Sequence, residues 1–192
     1  GEVGVSANIP RIKYLNRKDE KNFRCSDNVE EVAIKCGLWD GEGDFIWYKA
    51  FGSSYTQGKN FREREWYILN ELAPSLNLKI DDDEMPFSVK PEQKVDVRDV
   101  MRLFRANYEG TPIDQIANLK VVTRNGDTIV SPTANPWMSG TERSVYNMLK
   151  PGTIEFKRGV AMSWCSYSFV AQLRGWMPDE IGGLLWLSVE NP

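Results

Sequence analysis

Residues 153–190 read TIEFKRGVAMSWCSYSFVAQLRGWMPDEIGGLLWLSVE, and this stretch decides the fold that the sequence predicts. In its first half, side chains alternate in type from Val160 to Phe169, which predicts a strand with contacts on both sides. In its second half, Leu184–Leu187 and Val189 are apolar almost without a break, as in a strand buried on both faces. A sheet covered on both faces needs further layers of structure above and below it.

Composition limits the class of protein. The chain has 192 residues, of which 41% are hydrophobic, so it can bury the core of about one domain. The net charge of −3 and the isoelectric point near 5.2 argue against nucleic acid as the main partner. The sequence contains no run of about 18 apolar residues, so we expect no segment that spans a membrane.

The absence of histidine restricts the chemistry further. Without histidine, the chain itself can form neither a Ser-His-Asp or Cys-His catalytic group nor a His-ligated zinc site. Its three cysteines, Cys25, Cys36 and Cys165, lack metal-ligand spacing, and an odd number argues against a disulfide framework. We therefore expect neither a metal nor another cofactor.

The first third of the chain predicts strands followed by a helix. Residues 2–7 and 11–15 are expected to form two short strands. Asp27, with Glu30 three positions later, predicts the start of a helix through a capping box. Cys36 falls on the apolar stripe of that helix, so we expect a buried thiol.

Two further helices are predicted before residue 110. One is expected to start at Asn60 and to stop at Pro74. The other is expected over residues 96–108, with Asp96 as its N-cap, because apolar residues recur there at helical spacing through Tyr108.

The following segment predicts a hairpin and a short helix. Asn125-Gly126 lies between two groups of β-forming residues and is a strong hairpin signal. Residues 142–149 are expected to form a short helical turn, which ends before Pro151-Gly152.

The two ends of the chain bear on the predicted domain organisation. The sequence opens with GEVGVSAN, already in strand-like alternation, and stops at SVENP directly after the apolar run. We expect residues 1–192 to be a single partial domain, the later portion of a longer polypeptide.

Four stretches resemble the cysteine dipeptidases of the N-terminal-nucleophile (Ntn) hydrolases. They occur in the family's order and cover most of the chain: VSANIPRI at 5–12, NVEEVAIKCGLWD at 28–40, PFSVKPEQKVDVRDVMRLFRANYEGTPID at 86–114, and SYSFVAQLRGWMPDEIGGLLWLSVEN at 166–191. The resemblance implies an α+β fold that is part of a four-layer αββα sandwich with two antiparallel sheets. It also implies a nucleophilic cysteine at the mature N-terminus, upstream of this chain.

The resemblance implies two catalytic support residues. Asn8, in Asn8-Ile9-Pro10, matches an asparagine that precedes a proline at a strand end in related acylases, and it is the candidate oxyanion donor. Arg158, expected at a strand start beside Gly159, is the candidate arginine near the nucleophile, where it would favour the thiolate or bind a substrate carboxylate.

Three further residues are candidates for substrate binding. Glu109 and Thr111 lie in the sequence YEGT, where a carboxylate would bind the free ammonium of a dipeptide, and helix C-capping geometry around Gly110 is the alternative explanation. Arg143 is a rival to Arg158 in a region that departs from the family pattern.

Three aromatic residues are expected to belong to the core: Trp164, Tyr167 and Trp176.

Alternative functions stay open at this point. The chain is either part of a dipeptidase, a non-catalytic binding or structural subunit, or part of an Ntn acyl-amide hydrolase with another substrate. The expected partners are a dipeptide, the upstream part of the same protein and a second copy of the chain, without nucleic acid or membrane. The sequence indicates no compartment.

Overall fold

The computed structural model of the chain describes residues 1–52, 62–82, 85–162 and 164–190. The chain divides into two compact units, Gly1–Glu92 and Gln93–Pro192. Helices alternate with short strands, and each sheet among the described residues is an antiparallel pair. The structure is therefore mixed α and β, as expected.

Most of the regular secondary structure in the first unit is helical. Its elements are β1 (Val3–Gly4), α1 (Val29–Lys35), α2 (Trp47–Phe51), α3 (Glu63–Leu72), a 3-10 turn (Pro74–Leu76) and β2 (Ser88–Val89). Strand β1 pairs with β2, with Val3 opposite Val89. Helix α3 buries the predicted apolar positions Trp66, Leu69 and Leu72, so this helix is confirmed through its end before Pro74. Its predicted start at Asn60 lies outside the described residues.

The second unit contains two hairpins and two longer helices. Its elements are α4 (Val97–Phe104), β3 (Lys120–Val122), β4 (Thr128–Val130), α5 (Gly140–Leu149), β5 (Tyr167–Leu173), α6 (Asp179–Gly182) and β6 (Gly183–Val189). Strand β3 pairs with β4 and β5 pairs with β6. A small core forms around Leu119, Met138 and Ile154.

Local capping and turn signals are confirmed in the second unit. The Asp96 carboxylate accepts hydrogen bonds from the backbone N–H groups of Arg98 (2.7 Å) and Asp99 (3.1 Å), so Asp96 is the N-cap of α4. The helix predicted at 142–149 is confirmed as α5, which begins two residues earlier behind an N-cap serine. The predicted hairpin is confirmed as β3–β4, and Gly126 adopts φ +87° in its turn, where a side chain would be strained.

Helix α4 ends earlier than predicted, at Phe104 instead of Tyr108. Tyr108 leaves the helix with φ +66° and is fully buried. Its hydroxyl donates to the backbone carbonyl of Arg158 at 2.6 Å. Tertiary packing against residue 158 therefore overrides the helical spacing of the sequence.

The strand prediction in the last stretch is partly wrong. Strand β5 begins at Tyr167, and the described residues of 154–166 form no regular strand, so Arg158 is not at a strand start. Strand β6 is exposed, not buried on both faces: Leu187 is 68% and Val189 is 80% exposed. The reason is that, among the described residues, β5 and β6 pair only with each other, and α4 lies against one face of the pair.

Aromatic residues that we expected in the core are exposed as well. Trp164 is 58%, Tyr167 is 63% and Trp176 is 78% exposed. Tyr167 shares an outward face with Phe169, Leu173, Leu185, Leu187 and Val189, because these residues occupy alternate, paired positions of the hairpin. We call these six residues the apolar hairpin face.

Three predictions near the start of the chain are wrong. Helix α1 begins at Val29 after Asn28 and has no side-chain N-cap, so Asp27 does not cap it. Cys36 is exposed, because it follows the last residue of the helix. Residues 11–15 form no strand, since Arg11 is turned toward α3 instead.

A buried carboxylate connects the start of the chain to α3 in the first unit. Glu65 on α3 is 1% exposed. Its two oxygens accept from the backbone N–H of Ala7 at 3.2 Å and from the Arg11 guanidinium at 2.5 Å. Arg11 also donates to the carbonyl of Pro86, so one ion pair connects the start of the chain, α3 and the segment before β2.

Removal of one partner of this pair should destabilise the protein strongly. Glu65→Ala leaves a largely buried Arg11 charge and an unsatisfied Ala7 N–H, which should cost about 3–5 kcal/mol of unfolding free energy. The double variant Arg11→Met/Glu65→Met should recover most of that loss, because an apolar pair avoids desolvation. Urea unfolding measures both. Glu31→Ala, an exposed acid on α1, is the control and should change stability by less than about 0.5 kcal/mol.

The same measurement has a predicted pH dependence. Burial raises the pKa of Glu65 above its ordinary value of 4.5, although Arg11 and the Ala7 N–H oppose this. Between the ordinary and the raised pKa the folded protein binds more protons, so the Glu65 contribution to stability falls as pH rises. Glu65→Gln should remove that slope. An unchanged slope, or a double variant as unstable as Glu65→Ala, would contradict this account.

Candidate active site

Asn8 lies in the first unit, in the segment after β1. The next residue, Ile9, is buried and packs against Tyr48, which fixes the backbone here. The side-chain oxygen of Asn8 accepts a hydrogen bond from the Arg64 guanidinium on α3. Since a guanidinium can only donate, the Asn8 oxygen faces Arg64 and its NH2 group is the part available for donation to another acceptor.

The backbone around Asn8 is fixed on both sides by one residue. Glu65 binds the N–H of Ala7, which precedes Asn8, and the side chain of Arg11, which follows Pro10. Adjacent residues of α3 therefore position the Asn8 amide and the turn that carries it. An amide held in this way can act as a preorganised donor to a developing oxyanion.

Arg143 and Arg158 come together in the second unit. Both line one narrow recess, which residues 136–138, 156–159 and 161–162 and Trp164 also line. The Arg143 guanidinium donates to the Met138 carbonyl at 2.5 Å and lies 4.3 Å above the centre of the Phe156 ring. The Arg158 guanidinium lies 5.9 Å from the centre of the Trp164 ring. The two arginines that the sequence offered as rivals thus share a site.

Glu109 and Thr111 do not line this recess. The Glu109 carboxylate is exposed and accepts from the backbone N–H of Asn107 at 2.8 Å, whereas the Thr111 hydroxyl donates to the Tyr108 carbonyl at 2.7 Å. Both bonds stabilise the turn after α4. The capping-type alternative therefore accounts for their observed contacts.

Sequence reasoning missed Asn107, which lines the recess and is 2% exposed. Its side-chain amide donates to the Arg105 carbonyl at 3.1 Å. A β-carbon on Gly159 would lie 3.2 Å from the Asn107 side-chain oxygen, so glycine permits this close approach. The available signal was Gly159 itself, which we noted only as a small neighbour of Arg158.

Sequence reasoning also missed Arg64 and Glu65. They stand in the run Glu63-Arg64-Glu65, which looks like a solvated helix surface in the sequence. Both acids of this run are buried. No local signal distinguishes them, because their partners are more than 50 residues away along the chain.

The described residues also give limits on other kinds of site. Across 1–52, 62–82, 85–162 and 164–190, no group of three or more Cys, Asp or Glu side chains is placed to hold a metal ion. None of the helices in this part of the chain combines the length and the apolar character required to cross a bilayer.

Comparisons with known proteins agree on one family. The family model "Peptidase family C69" matches residues 2–192. A probable dipeptidase of Latilactobacillus sakei is 23% identical over 189 residues, which is 98% of this chain and 34% of that protein. Dipeptidase A of Lactobacillus helveticus is 20% identical over 185 residues, 96% of this chain and 33% of that protein.

A third relative matches over a shorter length. A probable dipeptidase of Salmonella dublin is 27% identical over 117 residues, 59% of this chain and 27% of that protein. The chain spans about a third of the length of these relatives or less. The match over nearly every residue confirms the resemblance to dipeptidases, and the chain therefore belongs to peptidase family C69.

Proposed function

We propose that this chain is the later portion of a cysteine dipeptidase that hydrolyses the amide bond of dipeptides. The dipeptidase names of its relatives support the substrate class. The observation that carries the catalytic part is the orientation of Asn8, whose oxygen is held by Arg64 and whose NH2 group is left to donate. The nucleophile in this proposal is a cysteine at the mature N-terminus, in sequence that precedes this chain.

The proposed reaction needs no histidine. The thiolate of the N-terminal cysteine attacks the peptide carbonyl, and the α-amino group of the same residue takes the thiol proton. An α-amino group has a pKa near 8, which suits a base at neutral pH. It then gives the proton to the leaving amine, and water hydrolyses the thioester to release the second amino acid.

Asn8 is assigned to the tetrahedral intermediate of this reaction. Its NH2 group would donate to the oxyanion that forms when the carbonyl is attacked. Because Arg64 and Glu65 already fix the amide and its turn, little reorganisation is needed as the charge develops.

The remaining candidates are assigned to substrate and nucleophile electrostatics. Arg158 and Arg143 supply positive charge in one recess, which favours a thiolate or a carboxylate nearby. Glu109 is exposed and charged at the turn after α4, and we assign it to the ammonium of the dipeptide, with Thr111 as its neighbour on the same turn.

The fold proposed for the whole protein is the αββα sandwich of the Ntn hydrolases. Its support is the apolar hairpin face, whose six side chains are 53–82% exposed. A sheet face of this composition is covered in a stable protein. We assign its cover to a second sheet supplied by the preceding part of the same protein, and residues 1–192 would then be part of one larger domain.

The first prediction is that the 192-residue chain on its own hydrolyses no dipeptide. It contains no histidine, and its N-terminal residue is glycine, so it lacks both the proposed nucleophile and an alternative base. A panel of dipeptides with quantification of free amino acids tests this. Turnover that is lost on Cys165→Ser would overturn the proposal, because the nucleophile would then lie within the chain.

The second prediction concerns the apolar hairpin face. The isolated chain should self-associate, and Leu187→Lys should reduce association without lowering its melting temperature, because Leu187 is exposed there. In the whole protein the same change should be destabilising by several kcal/mol, because it buries an unpaired charge.

Val122→Lys is the matched control for this face. Val122 is 71% exposed on β3, so the added charge should affect neither association nor stability. Sedimentation velocity and thermal unfolding give both quantities. A monomeric wild-type chain, or a whole protein that tolerates Leu187→Lys, would show that no second sheet covers the face.

The third prediction tests the oxyanion donor in the whole enzyme. Asn8→Ala should lower kcat by roughly 100- to 1000-fold, or about 2.7–4 kcal/mol, with little change in KM. Arg64→Ala should lower kcat partly, because it releases the amide. Since both changes act through one group, the double variant should be no slower than Asn8→Ala.

A matched asparagine separates this role from a structural one. Asn16 is exposed and accepts a local hydrogen bond from the N–H of Lys18, so Asn16→Ala should leave kcat unchanged. If Asn8 is only a turn residue, Asn8→Ala should instead lower the melting temperature by an amount equivalent to about 1 kcal/mol and keep full kcat. That result would remove Asn8 from the site.

A further inference from the structure

The recess that Arg143 and Arg158 line combines a buried polar side chain with exposed aromatic rings, and we call the exposed side its mouth. Its free volume is about 20 Å³, roughly the space for one small polar group. Arg143, Arg158 and the buried Asn107 line it. Three half-exposed rings stand around them: Trp137, Phe156 and Trp164.

The contacts of Arg143 determine which of its atoms can bind a ligand. The Phe156 ring covers one face of its guanidinium at 4.3 Å, and Nη1 donates to the Met138 carbonyl at 2.5 Å. The five N–H donors of a guanidinium lie in its plane, so a ring on the face leaves the edge directions open. These are the directions in which a carboxylate binds arginine with two hydrogen bonds.

The backbone fixes Arg158 beside it. Its carbonyl accepts from the buried Tyr108 hydroxyl at 2.6 Å, and Gly159 makes close contact with Asn107. Both guanidinium groups therefore line one narrow recess, where two positive charges favour the binding of an anion. Lys157 also lines the recess and forms an ion pair with Glu155 at 2.8 Å.

We propose that this recess binds the carboxyl-terminal carboxylate of a peptide and that the rings at its mouth select an apolar or aromatic side chain on the residue that bears it. The narrow free volume suits a carboxylate. The exposed rings provide apolar area next to it, and burial of a large side chain against them would add binding energy. The inference rests on the proposed function, because it names the part of the dipeptide that this unit recognises.

Uncleavable dipeptide isosteres test this without turnover. The probes are an Ala-Phe isostere whose amide is replaced by a hydroxyethylene group, its C-terminal carboxamide, and the matching Ala-Gly isostere. Calorimetry on the whole protein should show that the acid binds at least about tenfold more tightly than the carboxamide, because a charge-assisted bond is lost. It should also bind at least about tenfold more tightly than the Ala-Gly isostere.

Variants of the recess should change one ratio each. Arg143→Met and Arg158→Met should bring the acid-to-carboxamide ratio toward 1, whereas Trp137→Leu, at a ring that lines the recess without stacking on either arginine, should bring the Phe-to-Gly ratio toward 1. Each ratio compares two ligands on one preparation, so a partial loss of folded protein cancels. Arg124→Met in the β3–β4 turn and Trp176→Leu before α6 are exposed controls and should change neither ratio.

Two outcomes separate this inference from the proposed function. If the whole protein hydrolyses Ala-Phe but binds acid and carboxamide equally, or if the arginine variants keep the wild-type ratio, the recess is not the carboxylate site and the dipeptidase proposal stands. If the protein hydrolyses no dipeptide, the proposed function fails. A wild-type acid preference that the arginine variants abolish supports the inference.

Discussion

One buried carboxylate sets the conformation of the first unit. Glu65 holds the Ala7 N–H and the Arg11 guanidinium, and Arg11 in turn reaches the Pro86 carbonyl. Burial raises the pKa of Glu65 despite these partners, which means that the folded environment favours its protonated form more than water does. Such a pair contributes less to net stability than to the choice of one conformation, because any other path for this segment leaves a buried charge without its partner. The pair thereby fixes the turn that carries Asn8.

Features of the fold that depend on neighbouring residues were predictable from the sequence. Asp96 reaches N–H groups two and three residues on, and the Asn125-Gly126 turn needs only its own φ angles. Burial was not predictable in the same way, since the continuous apolar run of β6 predicts contacts on both faces and the two-stranded pair provides them on one. The early end of α4 at Phe104 has a similar cause, because the Tyr108 side chain is held by residue 158 and not by its own helix.

The same distinction between local and distant contacts separates the candidate-site residues that the sequence predicted from those that it missed. Asn8 was found from three consecutive residues that match a family pattern, whereas Arg64 and Glu65, which hold it, were not found because α3 is far away in sequence. The sequence did not choose between Arg143 and Arg158, and the structure places both in one recess. Pairs of distant residues carry this information, and a single sequence does not reveal them.

Asn8 and Arg143 are positioned by the same physical device, although they belong to different units. In both residues, protein contacts hold one part of the polar side chain and so orient the other part. Arg64 binds the Asn8 oxygen, which leaves the NH2 group available for donation. The Met138 carbonyl binds one Arg143 donor and the Phe156 ring covers one face of its guanidinium. A group that is held in this way loses little conformational entropy when it meets its ligand, so more of the interaction energy is available for binding or for the transition state. The contacts of Asn8 and Arg143 therefore support the roles that we propose for them, because both groups are already oriented before a ligand arrives.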